Sequence, residues 1–287
     1  MKQVIARITC VVDNRLPPDA KPGLGAEHGL SLHVELSGRQ VLLDTGQSKQ
    51  VVDNASLMGI NLSQLDAIIL SHGHYDHTGG LLPVLEAREA KLIPVYAHPD
   101  IFDEKFTLQR GVRRSIGLPW HREDAEALGA RFFDASSWRQ VVEGVWVTGI
   151  IKRVSLFETG DRQLLTARYP GGPPEQDSLL DDISVVVELG PDNSLAILTG
   201  CAHAGMVNII EAVRRRFPAH KIKAIIGGSH LSKVSKNQLF ATLAYLTESE
   251  IEMFRLSHCT GEAEEQLAKA LAGRYQWFGV GEVVEFN

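Results

Sequence analysis

The stretch Leu65–Gly80, LDAIILSHGHYDHTGG, constrains this chain more than any other. Ala67-Ile68-Ile69-Leu70 is a short apolar run, the mark of a fully buried strand. The turn after it carries His72, His74, Asp76 and His77 and ends on Gly79-Gly80. Imidazoles and a carboxylate this close together are borderline ligands suited to zinc or a similar transition ion. The alternate spacing of His72 and His74 lets both side chains leave an extended turn on one side. Asp76 and His77 can then face a second ion beside the first. A solvated histidine-rich turn is the bland alternative, and a buried strand directly before it argues against that.

The chain has 287 residues, 44% hydrophobic and 22% charged, which suits a globular protein with a sizeable core. Net charge is −6, from 29 basic and 35 acidic residues, and leaves no electrostatic footprint for nucleic acid. No apolar run reaches the roughly 18 residues of a membrane span. The opening MKQVIARITCVV is broken by Arg7 and reads as a strand, not a signal peptide. Cys10, Cys201 and Cys259 are too few and too scattered for a disulfide framework, so a cytoplasmic location is expected.

Along the chain, strands are expected at Gln3–Val12, Leu30–Leu36, Gln40–Leu43 and Ile93–His98, with a turn at Ser37-Gly38-Arg39. Asn14–His28 reads as a loop. Helices are expected at Ser48–Met58, with Ser48 as N-cap, and at Leu81–Arg88 and Glu123–Leu128. Pro99–Trp120 reads as irregular. Ile151–Asp182 holds Gly171-Gly172-Pro173-Pro174, which cannot be regular structure, and reads as a long loop of the kind that is functional or disordered. Val145–Gly149, Ile183–Leu189, Ser194–Leu198, Ile222–Ile226 and Glu252–Leu256 read as strands. They alternate with helices at Met206–Phe217, Lys236–Leu246 and Gly261–Ala272, and strands at Gln276–Phe278 and Val280–Phe286 close the chain. This is layered α/β architecture.

His-x-His-x-Asp-His after an apolar strand resembles the signature of the metallo-β-lactamase superfamily. The resemblance implies a four-layer αββα sandwich, one sheet from each half of the chain, with metals at the sheet edge between them. Periodicity alone does not choose this over an open parallel sheet. It also implies one such domain over 1–287, with insertions near 99–122 and 151–182. Asp44, closing the strand before the metal turn, matches a residue that buttresses the metal loops. A simple turn Asp is its plainer reading. Two further turns, Thr199–Gly205 and Leu256–Gly261, place His203 and His258 just past strands. The resemblance then assigns His72, His74 and His203 to one divalent ion and Asp76, His77 and His258 to another. Zinc is expected, and manganese or iron also suits these donors. Cys201 stands where a bridging Asp is usual. It is a candidate thiolate ligand or a small buried residue, and Asp182 is a second candidate for the missing acidic partner. His230 is a candidate donor to a substrate oxyanion, or an exposed histidine in a capping turn.

AEHGLSLHVE, LLDTGQS, LSHGHYDHTGGL, TGCAHAGMVNII, IIGGSHL and SHCTGEA resemble one subgroup of the superfamily. It is named for 7,8-dihydropterin-6-methyl-4-(β-D-ribofuranosyl)aminobenzene-5′-phosphate synthase. This likeness adds His28 and Ser31 to the candidate substrate-binding residues. It implies a transferase that releases diphosphate from a dihydropterin-methyl diphosphate, with two metals gripping the diphosphate oxygens. Lys105, Arg110, Arg113, Arg114 and Arg153 lie in the insertions and are candidate phosphate ligands, or else a solvated face. The rival enzymatic reading is a hydrolase of a phosphoester, lactone, thioester or amide, using a hydroxide that bridges the metals. A non-catalytic metal-binding sensor is the rival of another class. The expected partner is a small phosphorylated molecule, with neither nucleic acid nor membrane.

Overall fold

A strand that is apolar at every position must be buried on both faces, because successive side chains point opposite ways. The computed structural model, which describes residues 5–89, 91–190 and 192–287, bears this out for the central strands. Gln3 and Val4, where the first strand is expected to begin, lie outside the described residues.

The first half of the chain runs β1 (Ala6–Val12), β2 (Ser31–Leu36), β3 (Arg39–Leu43), α1 (Gln50–Met58), β4 (Ala67–Ile69) and α2 (Tyr75–Thr78). It continues with α3 (Leu81–Ala87), β5 (Ile93–Ala97), β6 (Glu104–Gln109), β7 (Val112–Ser115), α4 (Arg122–Ala127) and β8 (Ala130–Asp134). The second half gives β9 (Arg139–Val142), β10 (Val145–Val147), β11 (Leu165–Ala167), β12 (Glu175–Gln176), β13 (Ser184–Glu188) and β14 (Ser194–Thr199). Then come α5 (Met206–Arg216), β15 (Lys221–Gly228), α6 (Lys236–Glu248), β16 (Met253–Ser257), α7 (Glu264–Ala270), β17 (Tyr275–Gln276) and β18 (Val283–Phe286).

One sheet has the order β18-β1-β2-β3-β4-β5-β8 and a second has β17-β16-β15-β14-β13-β10-β9. Alternation sorts their side chains into layers. Val41, Leu43, Ala67, Ile69, Val185, Val187, Ala196 and Leu198 fill the space between the sheets. Leu42 and Ile68 face outward to α1, α3 and α4. Val186, Leu195, Ile197 and Ile225 face outward to α5, α6 and α7. This is the αββα sandwich. The division by halves has one exception: β18, the last strand, pairs antiparallel with β1 and joins the first sheet.

Several local expectations are corrected. Pro99–Trp120 is not irregular. β6 and β7 form a hairpin whose turn residues Arg110 and Gly111 both have positive φ, 52° and 80°, the two-residue turn that matches strand twist. Arg-Gly is a weak turn signal, so periodicity missed it. Ile151–Asp182 likewise contains β11 and β12, and the two insertions combine in a small sheet ordered β12-β11-β6-β7. Partners distant in sequence made those short strands illegible. β8 and β9 were not expected either. Ser48 caps α1 as expected: Lys49 is already helical (φ −67°, ψ −3°), and Ser48 Oγ accepts from Gln50 N at 3.1 Å while it donates to Glu27 Oε2 at 2.5 Å.

The arrangement that positions a site is the shared direction of the central strands. β3 and β4 are parallel, and so are β14, β15 and β16. Their C-terminal ends release Asp44, His72, Cys201, His230 and His258 into neighbouring turns.

Candidate metal centre

β4 delivers the chain into Leu70, Ser71 and His72, all fully buried. His74 is the N-cap of α2, whose single turn carries Asp76 and His77. Gly200 lets the turn after β14 come close, since a Cβ there would lie 2.0 Å from Ser71 Oγ. The structure thus brings His72, His74 and His203 together as one group of donors, their nearest ring atoms within 4.8 Å of one another. Asp76, His77 and His258 converge beside them. Asp76 Oδ2 is 3.3 Å from His258 Nε2 and 3.8 Å from His77 Nε2, and the two Nε2 atoms are 3.1 Å apart.

Hydrogen bonds behind the rings fix which nitrogen carries the proton. Asp44 Oδ2 accepts from His77 Nδ1 at 2.7 Å and from Ser71 Oγ at 2.6 Å. With its own proton given to Asp44, Ser71 Oγ accepts from His72 Nδ1 at 2.9 Å. Asn14 Oδ1 accepts from His258 Nδ1 at 3.0 Å and from Gly29 N at 3.1 Å, while Asn14 Nδ2 donates to His258 O. His72, His77 and His258 are therefore Nδ1–H tautomers, with Nε2 lone pairs aimed at one another or at His74. Lone pairs 3.1 Å apart repel unless a cation lies against them. His74 Nε2 and both ring nitrogens of His203 are buried with no hydrogen-bond partner. That donor set fits divalent metal. A single proton fits it poorly. Asp44 and Asp76 outweigh burial and lift His77 to about 9, yet a proton there would serve the His77–His258 contact and leave His203 orphaned.

The remaining electrostatics agree with neutral ligands. Burial, helped by neighbouring imidazoles, holds His72 and His203 well below the usual histidine range. Burial takes His74 to about 4. Burial raises Asp76, but His77, His258 and His28 outweigh it and keep this carboxylate ionised.

The other candidates divide. Cys201 Sγ lies 3.2 Å from His77 Nε2 and converges with His72 and His77. His28 Nε2 is 3.2 Å from Asp76 Oδ2 at the open side of the centre. The His230 ring lies 4.1 Å from that of His203. Asp182 Oδ2 accepts from Ala204 N at 2.8 Å, so it props the His203 turn, its Oδ1 is buried without a partner, and burial pushes its pKa up to about 7. Ser31 is buried and donates to Asp44 O, which makes it a support of the buttress. Asp44 itself is a buttress, since its carboxylate oxygens are taken by Ser71 and His77.

The basic insertions are mostly engaged elsewhere. Lys105 is buried between Asp177 and Asp181, Arg113 pairs with Glu104, and Arg153 donates to Ala204 O and Glu158 O. Arg114 is exposed on β7, and none of its described contacts reach the histidines. Sequence reasoning missed Asn14 and its neighbour Asp13, whose Oδ1 accepts from His258 N at 2.8 Å. A polar pair directly after a buried strand, as at Asp44, was the signal available. It also missed Ser71, Cys259 and Asp181.

A cavity of about 250 Å3 opens beside His203 and His230. Glu158–Arg162 and Leu231–Gln238 form its walls, bringing Arg162, Lys233 and the first turn of α6 to its rim. Glu158 is already spent on the first turn of α5, accepting from Val207 N and Asn208 N.

Known proteins share this frame. Over 274 residues the chain is 26% identical to 7,8-dihydropterin-6-methyl-4-(beta-D-ribofuranosyl)-aminobenzene-5'-phosphate synthase of Methanocaldococcus jannaschii, covering 91% of this chain and 90% of that one. A solved metal-dependent hydrolase of the beta-lactamase superfamily superposes with a TM-score of 0.81 at 25% identity, covering 98% of this chain and 99% of that one. Zinc-bound PqqB of Methylobacterium extorquens shares the fold at a TM-score of 0.55 and 14% identity, over 97% and 99% of the two chains. Residues 24–217 match the family model of the metallo-beta-lactamase superfamily, and the chain belongs to that superfamily.

Proposed function

We propose that this chain is a two-metal enzyme acting on a small phosphorylated or diphosphate-bearing molecule. The observation that carries the reading is the cavity wall shared with the metal centre. His203 belongs to the donor group and also lines the cavity, so a ligand there meets the centre directly. Arg162 and Lys233 stand at the same rim, and neither has an ion-pair partner among the described residues. Asp161, which lines the same cavity, is engaged by Gln163 N at 2.8 Å and faces His230.

In this reading Arg162, Lys233 and the N-terminal turn of α6 bind the anionic end of the substrate. His28 and His230 flank the reacting end from opposite sides of the histidine cluster. Bound divalent ions would supply positive charge against substrate oxygens where charge develops on the leaving group. Group transfer is favoured by the Methanocaldococcus relative, whose name is that of a synthase and carries a 5′-phosphate. Hydrolysis is the second reading, favoured by the solved structure named a metal-dependent hydrolase.

Binding of inorganic diphosphate to the metal-loaded protein tests the substrate class. Arg162→Ala and Lys233→Ala should each weaken it by roughly ten- to a hundredfold, the worth of one charge-assisted contact of about 1.5–3 kcal/mol. Metal content should not change, and Arg114→Ala should bind as wild type. Equal binding by all four proteins would remove the phosphate reading and put an uncharged hydrolase substrate first.

A further inference from the structure

A second group of donors adjoins the paired imidazoles. Cys201 Sγ, Cys259 Sγ and a ring nitrogen of His230 all lie within 4.8 Å of one another. They come from the turns after β14, β16 and β15. We propose that Cys201, Cys259 and His230 form a further metal site, one that takes a thiophilic d10 cation such as Cd2+ or Zn2+.

Several independent features converge here. The backbone is forced to make the cluster: Ala202, His230 and His258 have φ of 61°, 49° and 53°, a region that side chains with a Cβ rarely adopt. Gly228 lies beneath the sulfurs, where a Cβ would meet Cys259 Sγ at 2.8 Å and Cys201 Cα at 3.2 Å. Any other residue at 228 would push the two turns apart. Both ring nitrogens of His230 are buried without a hydrogen-bond partner, an arrangement that is costly unless something else meets a lone pair. Asp161 Oδ2 stands 4.0 Å from His230 Nε2, a carboxylate behind an imidazole, as metal-binding histidines commonly have. His230 N donates to Cys259 Sγ at 3.2 Å, which favours the thiolate that a metal needs.

The donor types decide the class of ion. Two sulfurs and an imidazole select soft or borderline cations over magnesium or calcium. In a tetrahedral site with metal–sulfur bonds near 2.3 Å, neighbouring donors stand roughly 3.5–4 Å apart, so donors already within 4.8 Å need only small movements. On binding, each thiol gives its proton to solvent and its sulfur lone pair to the ion. Cys201 Sγ also faces His77 Nε2 at 3.2 Å, so it would be the atom shared with the histidine centre. The inference stands on this donor set alone and is independent of the reaction assigned to the chain.

Cadmium titration of the full chain tests it, after chelator treatment, reduction and a count of free thiols. The thiolate-to-cadmium absorption in the ultraviolet is the readout, which histidine and carboxylate ligands do not contribute. The expected amplitude is that of two thiolates per chain. Cys259→Ser should halve it and lower the cadmium stoichiometry by one. His230→Ala should keep the amplitude and weaken the site at least tenfold. Cys10→Ser should change nothing, because Cys10 is fully buried in β1. A one-thiolate band that survives in Cys259→Ser and vanishes in Cys201→Ser would assign Cys201 to the histidine centre and overturn the proposal. So would the absence of any band, or a thiol count showing that Cys201 and Cys259 are joined in a disulfide that survives reduction. Should Cys259→Ser fail to fold, the wild-type amplitude and the His230→Ala shift decide the matter by themselves.

Discussion

Lys105→Met tests how the insertions support the metal turn. Lys105 is 1% exposed. Its Nζ lies 2.8 Å from Asp177 Oδ2 and 3.0 Å from Asp181 Oδ1. Asp181 Oδ2 in turn accepts from Gly73 N at 2.8 Å, between His72 and His74. Met preserves the packing of the stem and removes the charge, leaving two buried carboxylates without their cation. Breaking such a pair from one side costs about 3–5 kcal/mol. At about 2–4 °C per kcal/mol for a chain of this size, Tm should fall by roughly 6–20 °C. Burial raises Asp181, but Lys105 and Gly73 N–H outweigh it and hold the carboxyl below its usual range. Burial lowers Lys105, but Asp181 and Asp177 outweigh it and hold the ammonium above its usual range. The pair's stabilisation is therefore full between the unfolded-state values, about pH 4 and about pH 10. It is lost as pH falls through the depressed Asp181 value or rises through the elevated Lys105 value. Chemical unfolding of metal-free protein across that range is the assay, with Lys105→Met/Asp177→Asn/Asp181→Asn as the control. The control should recover much of the loss, because Asn can still accept from Gly73 N. A single mutant within about 1 kcal/mol of wild type at pH 7 would refute the argument that these charges are desolvated.

Protein purified without chelator should contain two metal ions per chain by elemental analysis, three where the cysteine site is also filled, and His258→Ala one fewer than wild type. Wild type that binds none in metal-replete conditions would remove the assignment. Asn14→Ala should weaken the ion on the His258 side by about ten- to a hundredfold, because the tautomer lock is gone, while Asn14→Asp should retain most of it. Equal metal affinity in both would make Asn14 a packing residue. Metal removal should lower Tm, since ions that bind only the folded chain stabilise it by mass action.

The layers were legible because the central strands carry unbroken apolar runs, as in Ala67–Ile69 and Val185–Val187. The metal turn was legible because its donors are consecutive. What escaped depends on distance along the chain. β11 pairs with β6 from the other insertion, Thr166 opposite Lys105, and neither strand has an apolar pattern of its own. The arginines of the insertions were legible as charges, but not as charges already neutralised. Arg113 meets Glu104 across its own sheet, and Arg153 is spent on backbone carbonyls. A sequence shows a cation and hides its partner.

The same limit explains the locks behind the ligands, and it has a physical consequence. Asp44 and Ser71 lock His77 and His72 from within the first half of the chain. His258 is locked by Asn14, 244 positions away and on the opposite sheet's side of the sandwich. Asp13 adds a bond to His258 N and a second to Trp277 Nε1. The first half thus carries a nearly complete set of oriented donors, yet His258 acquires its orientation only when the sheets stack. His203 is likewise held by Asp182 through Ala204 N, next to the start of β13. Closing the interior between the sheets and completing the centre are therefore one event. Metal affinity becomes folding free energy, and a substitution in the shared core, such as at Val185 or Leu43, should loosen the ions without touching a ligand.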